Sequence, residues 1–268
     1  LRPARRCRLA ARVRPRAADA GDRGGRIITV TSVAQCEAVA NLMLSNALRA
    51  ARLQVEWDVD EQFRTPRRVR GPYALEDSDF TARVDLTGLP ADRRIFLRVS
   101  FDGLASNAAS APLGGQFRTA PALRRDVRFL WSGDTAGQGY GINPEIGGMR
   151  IYETMRSRQP DFFVHCGDTI YADGPIVAEI DVEDGKRWRN LVTAEKQKVA
   201  ETLAEFRAHH RYNFLDENLR RFNAEVPQIW QWDDHEVVNN YSASKQLADD
   251  PRYTEKNAAL LAARGQRA

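Results

Sequence analysis

The chain has little of what fixes a small disulfide-bonded fold or a membrane protein. Its 268 residues hold three cysteines, Cys7, Cys36 and Cys166. That odd number, without metal-type spacing, gives no disulfide framework and only a weak hint of compartment. Long apolar runs are also missing. The most apolar stretch, residues 27–48, is broken by Gln35, Glu37, Asn41 and Asn46, so no membrane span is expected. Histidine is scarce: His165, His209, His210 and His235 are the full set. The glycine-rich segment 133–141 lacks the Lys-Ser/Thr ending of a phosphate-cradling loop, and reads as a flexible rim over a site.

What is present is an ordinary globular composition, 43% hydrophobic and 28% charged. The formal net charge of +4 is local in origin. Residues 1–26 carry nine arginines against Asp19 and Asp22, a balance of +7 that leaves −3 for the remainder. A body of that charge is not expected to carry a broad basic face, so no obligate nucleic-acid partner is expected. Arg5-Arg6 is followed by no apolar core, so it gives no usable export signal. Residues 1–50 read as an Arg-rich, atypical leader, disordered or stemming from a wrong gene start.

From residue 54 to 119 the pattern is of short strands and turns. Residues 55–59, 80–86, 95–99 and 115–119 read as strands, with turns at Gly71-Pro72, Gly88-Leu89-Pro90 and Asp102-Gly103. This spacing predicts a small antiparallel β-sandwich over residues 51–120. Residues 121–268 alternate strand with helix. Strands are expected at 127–131, 162–166 and 228–232, and a helix carries Met149, Tyr152, Met155 and Arg156 on one face. One long helical region is expected over 194–223, with Val199, Leu203, Phe206 and His210 on one stripe. Residues 242–268 add no strand, so the sum is an incomplete α/β parallel sheet behind a sandwich of fibronectin III or immunoglobulin type.

Three acidic signatures follow the apolar runs of this second region. They are Trp131-Ser132-Gly133-Asp134, the segment 162–171 ending in Gly167-Asp168-Thr169-Ile170-Tyr171, and Trp232-Asp233-Asp234-His235-Glu236. If the runs are neighbouring parallel strands, Asp134, Asp168 and Asp234 meet at one edge, where open α/β sheets place their sites. Crowded carboxylates repel unless some are protonated or a cation lies between them, so the constellation reads as a metal site. Two metals about 3.5–4 Å apart can activate water and neutralise a phosphoryl group. In this reading Asp168 bridges two metals, Asp134 and Asp234 are terminal ligands and Tyr171 offers a phenolate. His235 contacts the substrate or protonates the leaving oxygen. The plainer alternatives are a helix cap for Asp168, a turn residue for Asp134 and a packing ring for Tyr171.

Gly-Asp-x-x-Tyr at 167–171 and Trp-Asp-Asp-His-Glu-Val-x-Asn-Asn at 232–240 resemble motifs of the PhoD-type alkaline phosphatases, within the calcineurin-like metallophosphatases. The resemblance covers roughly residues 51–268. It implies a β-sandwich ahead of a metallophosphatase domain, hydrolysis of phosphomonoesters or phosphodiesters, and iron and calcium as metals. It also implies metal-ligand roles for Asp168 and Tyr171, and a metal or phosphate role for Asp234-His235, with support from Asn239 or Asn240. The family's best-known branch carries a cysteine ligand in the first motif, so Asp134 as its replacement is inferred from this chain alone. The family's further histidine and acidic ligands are missing, which marks the chain as a fragment.

Among the other candidates, His165 is expected to be buried and hydrogen-bonded, Cys166 to be a small core residue, and His209 and His210 to lie on a helix face. The leading expectation is a metal-dependent hydrolase of small phosphate esters, acting through metal-bound hydroxide. Exported relatives are common in the family, yet the compartment stays open. The alternative from another class is a catalytically inactive fragment that serves as a β-sandwich binding module.

Overall fold

The computed structural model describes residues 9–13, 28–32, 50–103 and 109–268. Twelve strands run in chain order as β1 Leu9–Val13, β2 Ile28–Ser32, β3 Ala50–Asp58, β4 Arg67–Leu75, β5 Ala82–Leu86 and β6 Arg94–Gly103, then β7 Leu113–Arg118, β8 Phe129–Ser132, β9 Phe162–His165, β10 Glu179–Asp181, β11 Arg187–Arg189 and β12 Gln228–Trp230. The described helices are α1 Arg150–Ser157, α2 Leu203–Asn213, α3 Glu217–Glu225 and α4 Ala258–Gln266. Among the described residues no helix is long and apolar enough to cross a membrane. The chain divides into two compact units. One comprises Leu1–Leu130, Met155–Phe163 and Arg220–Ile229, and the other Trp131–Thr154, Val164–Leu219 and Trp230–Ala268.

In the first unit β4-β3-β6-β7 form a four-stranded antiparallel sheet. Alternation dictates its buried face: Leu53, Val55 and Trp57 of β3 and Ile95, Leu97, Val99 and Phe101 of β6 all point inward. Ala82 and Leu86 of β5 join the same core, although β5 pairs with β2. Phe101 and Leu53 are fully buried, each contributing about 1.5–3 kcal/mol by leaving water. Gly71-Pro72 is not the expected turn. Both residues lie inside β4, at the register shift opposite Arg52 and Gln54. The strand tolerates proline because it is the sheet edge, and a Cβ at Gly71 would press within 2.8 Å of Leu53.

The second sheet has the order β5-β2-β1-β12-β9-β8. The region expected to be a leader thus contains two strands, β1 and β2. They are five residues each, too short to show a period among arginines. Their partners lie far along the chain: β1 pairs in parallel with β12, Arg12 facing Gln228. Strand β9 runs parallel to both neighbours, with Asp161 N–H bonded to Arg128 C=O and Phe163 N–H to Pro227 C=O. Before these strands, Arg125 grips Asp161 through two nitrogens at 2.6 and 3.0 Å and reaches Asp92 at 3.0 Å. The Arg125 guanidinium holds the Asp161 carboxyl well below the usual range.

The second unit follows the C-terminal ends of β8, β9 and β12. Its cores are a cluster around Ile170, Phe206, Val237 and Leu261 and a smaller one around Ile142, Ile176 and Tyr212. The single long helix expected over 194–223 is two helices. Thr202 and Glu205 form a capping box that starts α2 only at Leu203. Asp216 then accepts the Leu219 N–H at 2.9 Å and starts α3. Cys166 is exposed rather than a core residue, because the strand ends at His165 and the alternation stops with it. The β10-β11 hairpin was not foreseen.

Candidate active site

Each acidic signature sits just past a strand end: Asp134 after β8, Asp168 after β9 and Asp234 after β12. Three backbone bonds align the turns: Cys166 N–H to Ser132 C=O, Asp134 N–H to Gly167 C=O and Thr135 N–H to Asp168 C=O. Asp134 and Asp168 both adopt left-handed backbone, with φ of 59° and 53°. Such conformations cost about 1–3 kcal/mol outside glycine and concentrate at functional sites. Gly167, at φ 105°, packs directly on the neighbouring turn. A Cβ there would sit 2.4 Å from Asp233 Cβ and 2.8 Å from Asp233 N.

Side chains converge accordingly. Asp168, Asp234 and His235 can each place a ligand atom within 4.8 Å of the others. The His235 N–H donates to Asp168 Oδ1 at 3.1 Å. The Tyr171 phenol donates to Asp134 Oδ1, and its ring stacks on His235 with centroids 4.2 Å apart. All five residues singled out from the sequence therefore meet in one place. Asn240 N–H bonds Asp234 Oδ2, so this asparagine supports the site through its backbone.

Sequence reasoning missed two carboxylates. Asp173 accepts from His235 Nδ1 at 2.7 Å and from Asn239 N–H at 2.8 Å. Its place five residues past Asp168 was a usable sign. Glu236, 1% exposed, accepts the Thr169 N–H at 2.7 Å, the Thr169 hydroxyl at 2.8 Å and the Asp233 N–H at 3.0 Å. It ties the two acidic turns together. His165 is buried against Thr135, with Nε2 2.9 Å from Oγ1. His209, expected on a helix face, is 1% exposed and lies 3.1 Å from the Tyr171 carbonyl.

Electrostatics follow from this crowding. Burial pushes the Asp168 carboxyl up to about 6, aided by Glu236 and Asp134 and opposed by the His235 bond. Burial and the Asp134 carboxylate push the Tyr171 phenol upward. For His235 burial pulls the pKa down, but Asp173, Asp168 and Asp234 outweigh it and hold it above its ordinary value. A cation among these groups would reverse the first two shifts. Three carboxylates and a phenol are hard oxygen donors, and the set fits hard metal cations.

Comparisons with known proteins show the family and the fold. Residues 129–268 match the family model described as PhoD-like phosphatase. Residues 9–121 match the model described as PhoD-like phosphatase, N-terminal domain, so that match includes β1 and β2. Alkaline phosphatase D of Bacillus subtilis (strain 168) is 28% identical over 190 residues, 70% of this chain and 30% of that protein. A solved structure of PhoD superposes with a TM-score of 0.64 at 23% identity, covering 96% of this chain and 42% of that one. A purple acid phosphatase from yellow lupin (Lupinus luteus) seeds superposes with a TM-score of 0.52 at 13% identity, covering 97% and 39%. These two likenesses show the fold, and the chain spans well under half the length of each relative.

Proposed function

The chain belongs to the PhoD-like phosphatase family, and from that premise we propose that it carries part of a metal-dependent phosphoesterase site acting on small phosphate monoesters or diesters. The observation that supports this most is the meeting of Asp134, Tyr171, Asp168, Asp234 and His235 at one sheet edge. Asp168 lies near both Tyr171 and Asp234, which supports reading it as the ligand that would be shared. Asp134 and Tyr171 would hold one cation and Asp234 another, with iron and calcium as the metals the family resemblance suggests. Bound metals supply charge neutralisation at phosphoryl oxygens and an acidified water.

The chain's own residues do the rest. Asp173 accepts the His235 Nδ1–H and favours the protonated ring, whose second hydrogen on Nε2 would make it a hydrogen-bond donor or proton source to a substrate oxygen. Stacking on Tyr171 holds the imidazole plane. The family match does not favour the alternative of an inactive binding module. For the first unit we read β4-β3-β6-β7, with β5 across the core, as a sandwich whose second layer continues into the parallel strands.

The test is metal removal and return. The chain should hydrolyse p-nitrophenyl phosphate or its bis ester, lose that activity in chelator and regain it with ferric iron and calcium. Activity indifferent to chelation rejects the proposal.

A further inference from the structure

The segment from Asp168 to Gly174 is irregular backbone, buried among α2, the short 3-10 turn Glu195–Gln197 and the turn after β12. Unpaired peptide groups in such a place are costly, and several here are matched by distant parts of the chain. Asn213 Nδ2 donates to Thr169 C=O at 2.7 Å, and Ala172 exchanges bonds with His235 C=O and Ala200 N–H at 2.8 Å each. The Tyr171 carbonyl accepts the Gly174 N–H at 3.2 Å and has a further, buried donor. Lys196 Nζ donates to it at 2.8 Å, from a side chain only 2% exposed.

Burying an ammonium is expensive unless its hydrogens are matched. Here a second partner is His209 Nδ1, 3.4 Å from Lys196 Nζ. His209 Nε2 lies 3.1 Å from Glu195 C=O. A neutral ring carrying its hydrogen on Nε2 donates to Glu195 and accepts from Lys196, whereas one carrying it on Nδ1 donates to the Tyr171 carbonyl at 3.1 Å. Burial and the Lys196 charge keep this imidazole neutral, down to about 3. Lysine and histidine together thus form a scaffold behind the Tyr171 main chain. In front, a Cβ at Gly137 would fall 2.2 Å from the Tyr171 ring, so the ring is packed against that glycine.

Resting on the proposed metal site, we propose that Lys196 is a positioning residue for Tyr171, fixing its carbonyl so that the phenol oxygen points at Asp134 and the metal. A methionine of similar length removes the donor, while a glutamine keeps a donor without the charge. A purely packing role would treat the two alike, and a purely electrostatic one would make Lys196→Met bind cations more tightly.

The experiment titrates the purified chain and both variants with ferric iron, following the visible phenolate-to-iron band, with melting recorded in chelator. Lys196→Met should melt near the wild type in chelator yet bind iron about 10- to 100-fold more weakly, with a displaced or diminished band. Lys196→Gln should stay within a few-fold of the wild type and keep the band. Wild-type affinity and band in Lys196→Met, tighter binding by it, or equal losses in both variants would each overturn the assignment. A wild-type chain that shows no iron band sinks the Tyr171 ligand reading itself, and the Lys196 role falls with it.

Discussion

Asp173 Oδ1 lies 2.7 Å from His235 Nδ1, and its other oxygen takes the Asn239 N–H at 2.8 Å. One buried carboxylate therefore sets both the ring orientation and the tautomer of the site histidine. Asp173→Asn keeps the volume but removes the negative charge that favours the protonated ring. We predict a fall in kcat of about 10- to 100-fold with a smaller change in KM. Steady-state kinetics on a chromogenic phosphate ester measure it, and an unchanged kcat would remove His235 from the chemistry.

Gly167 has no room for a side chain. At φ 105°, with Asp233 Cβ 2.4 Å from the position of a built Cβ, Gly167→Ala must displace either the Asp168 turn or the Asp233 turn. Destabilisation of about 3 kcal/mol or more is expected. Urea unfolding would show it as a lowered midpoint at unchanged slope; a midpoint equal to that of the wild type contradicts the packing described.

Tyr171→Phe leaves the stacking on His235 possible and deletes the phenol that meets Asp134. The iron-loaded variant should lose its visible band while Asp168 and Asp234 still bind a cation. Persistence of the band would exclude this tyrosine as a ligand.

Glu205 gives a pH test away from the site. Burial alone would raise its pKa, but bonds from Lys198 Nζ at 2.8 Å and from the Glu201 and Thr202 N–H groups at 2.9 Å win, holding it down to about 2 against an ordinary 4.5. Its proton is then bound more weakly in the folded chain than in the unfolded one. The stabilisation is complete above pH 4.5 and disappears as the pH falls toward about 2. Glu205→Gln should melt below the wild type at neutral pH, with the gap closing across that window. A gap independent of pH would be evidence against the capping contacts.

Much of the site was legible because its parts are local. An acid two to four residues past a strand end stands out by order alone, and Asp134, Asp168 and Asp234 were singled out this way, with Tyr171 and His235 picked by their spacing from those acids. What escaped depends on contacts distant in sequence. Asp173 is defined by His235, 62 residues on, and Lys196 by a carbonyl 25 residues back. His209 looked like any helix-face histidine until the carbonyls of Tyr171 and Glu195 were placed around it. Strands β1 and β2 went unseen for the same reason, since pairing with β5 and β12 supplies what five short residues cannot. Gly71-Pro72 misled in the opposite direction, because strand-breaking residues do no harm on an edge.

The Glu236 carboxylate grips Thr169 with one oxygen and the Asp233 amide with the other. The turns bearing Asp168 and Asp234 are in consequence yoked, and a displacement of either drags its neighbour along. Spacing between these two acids is thereby set by the chain itself.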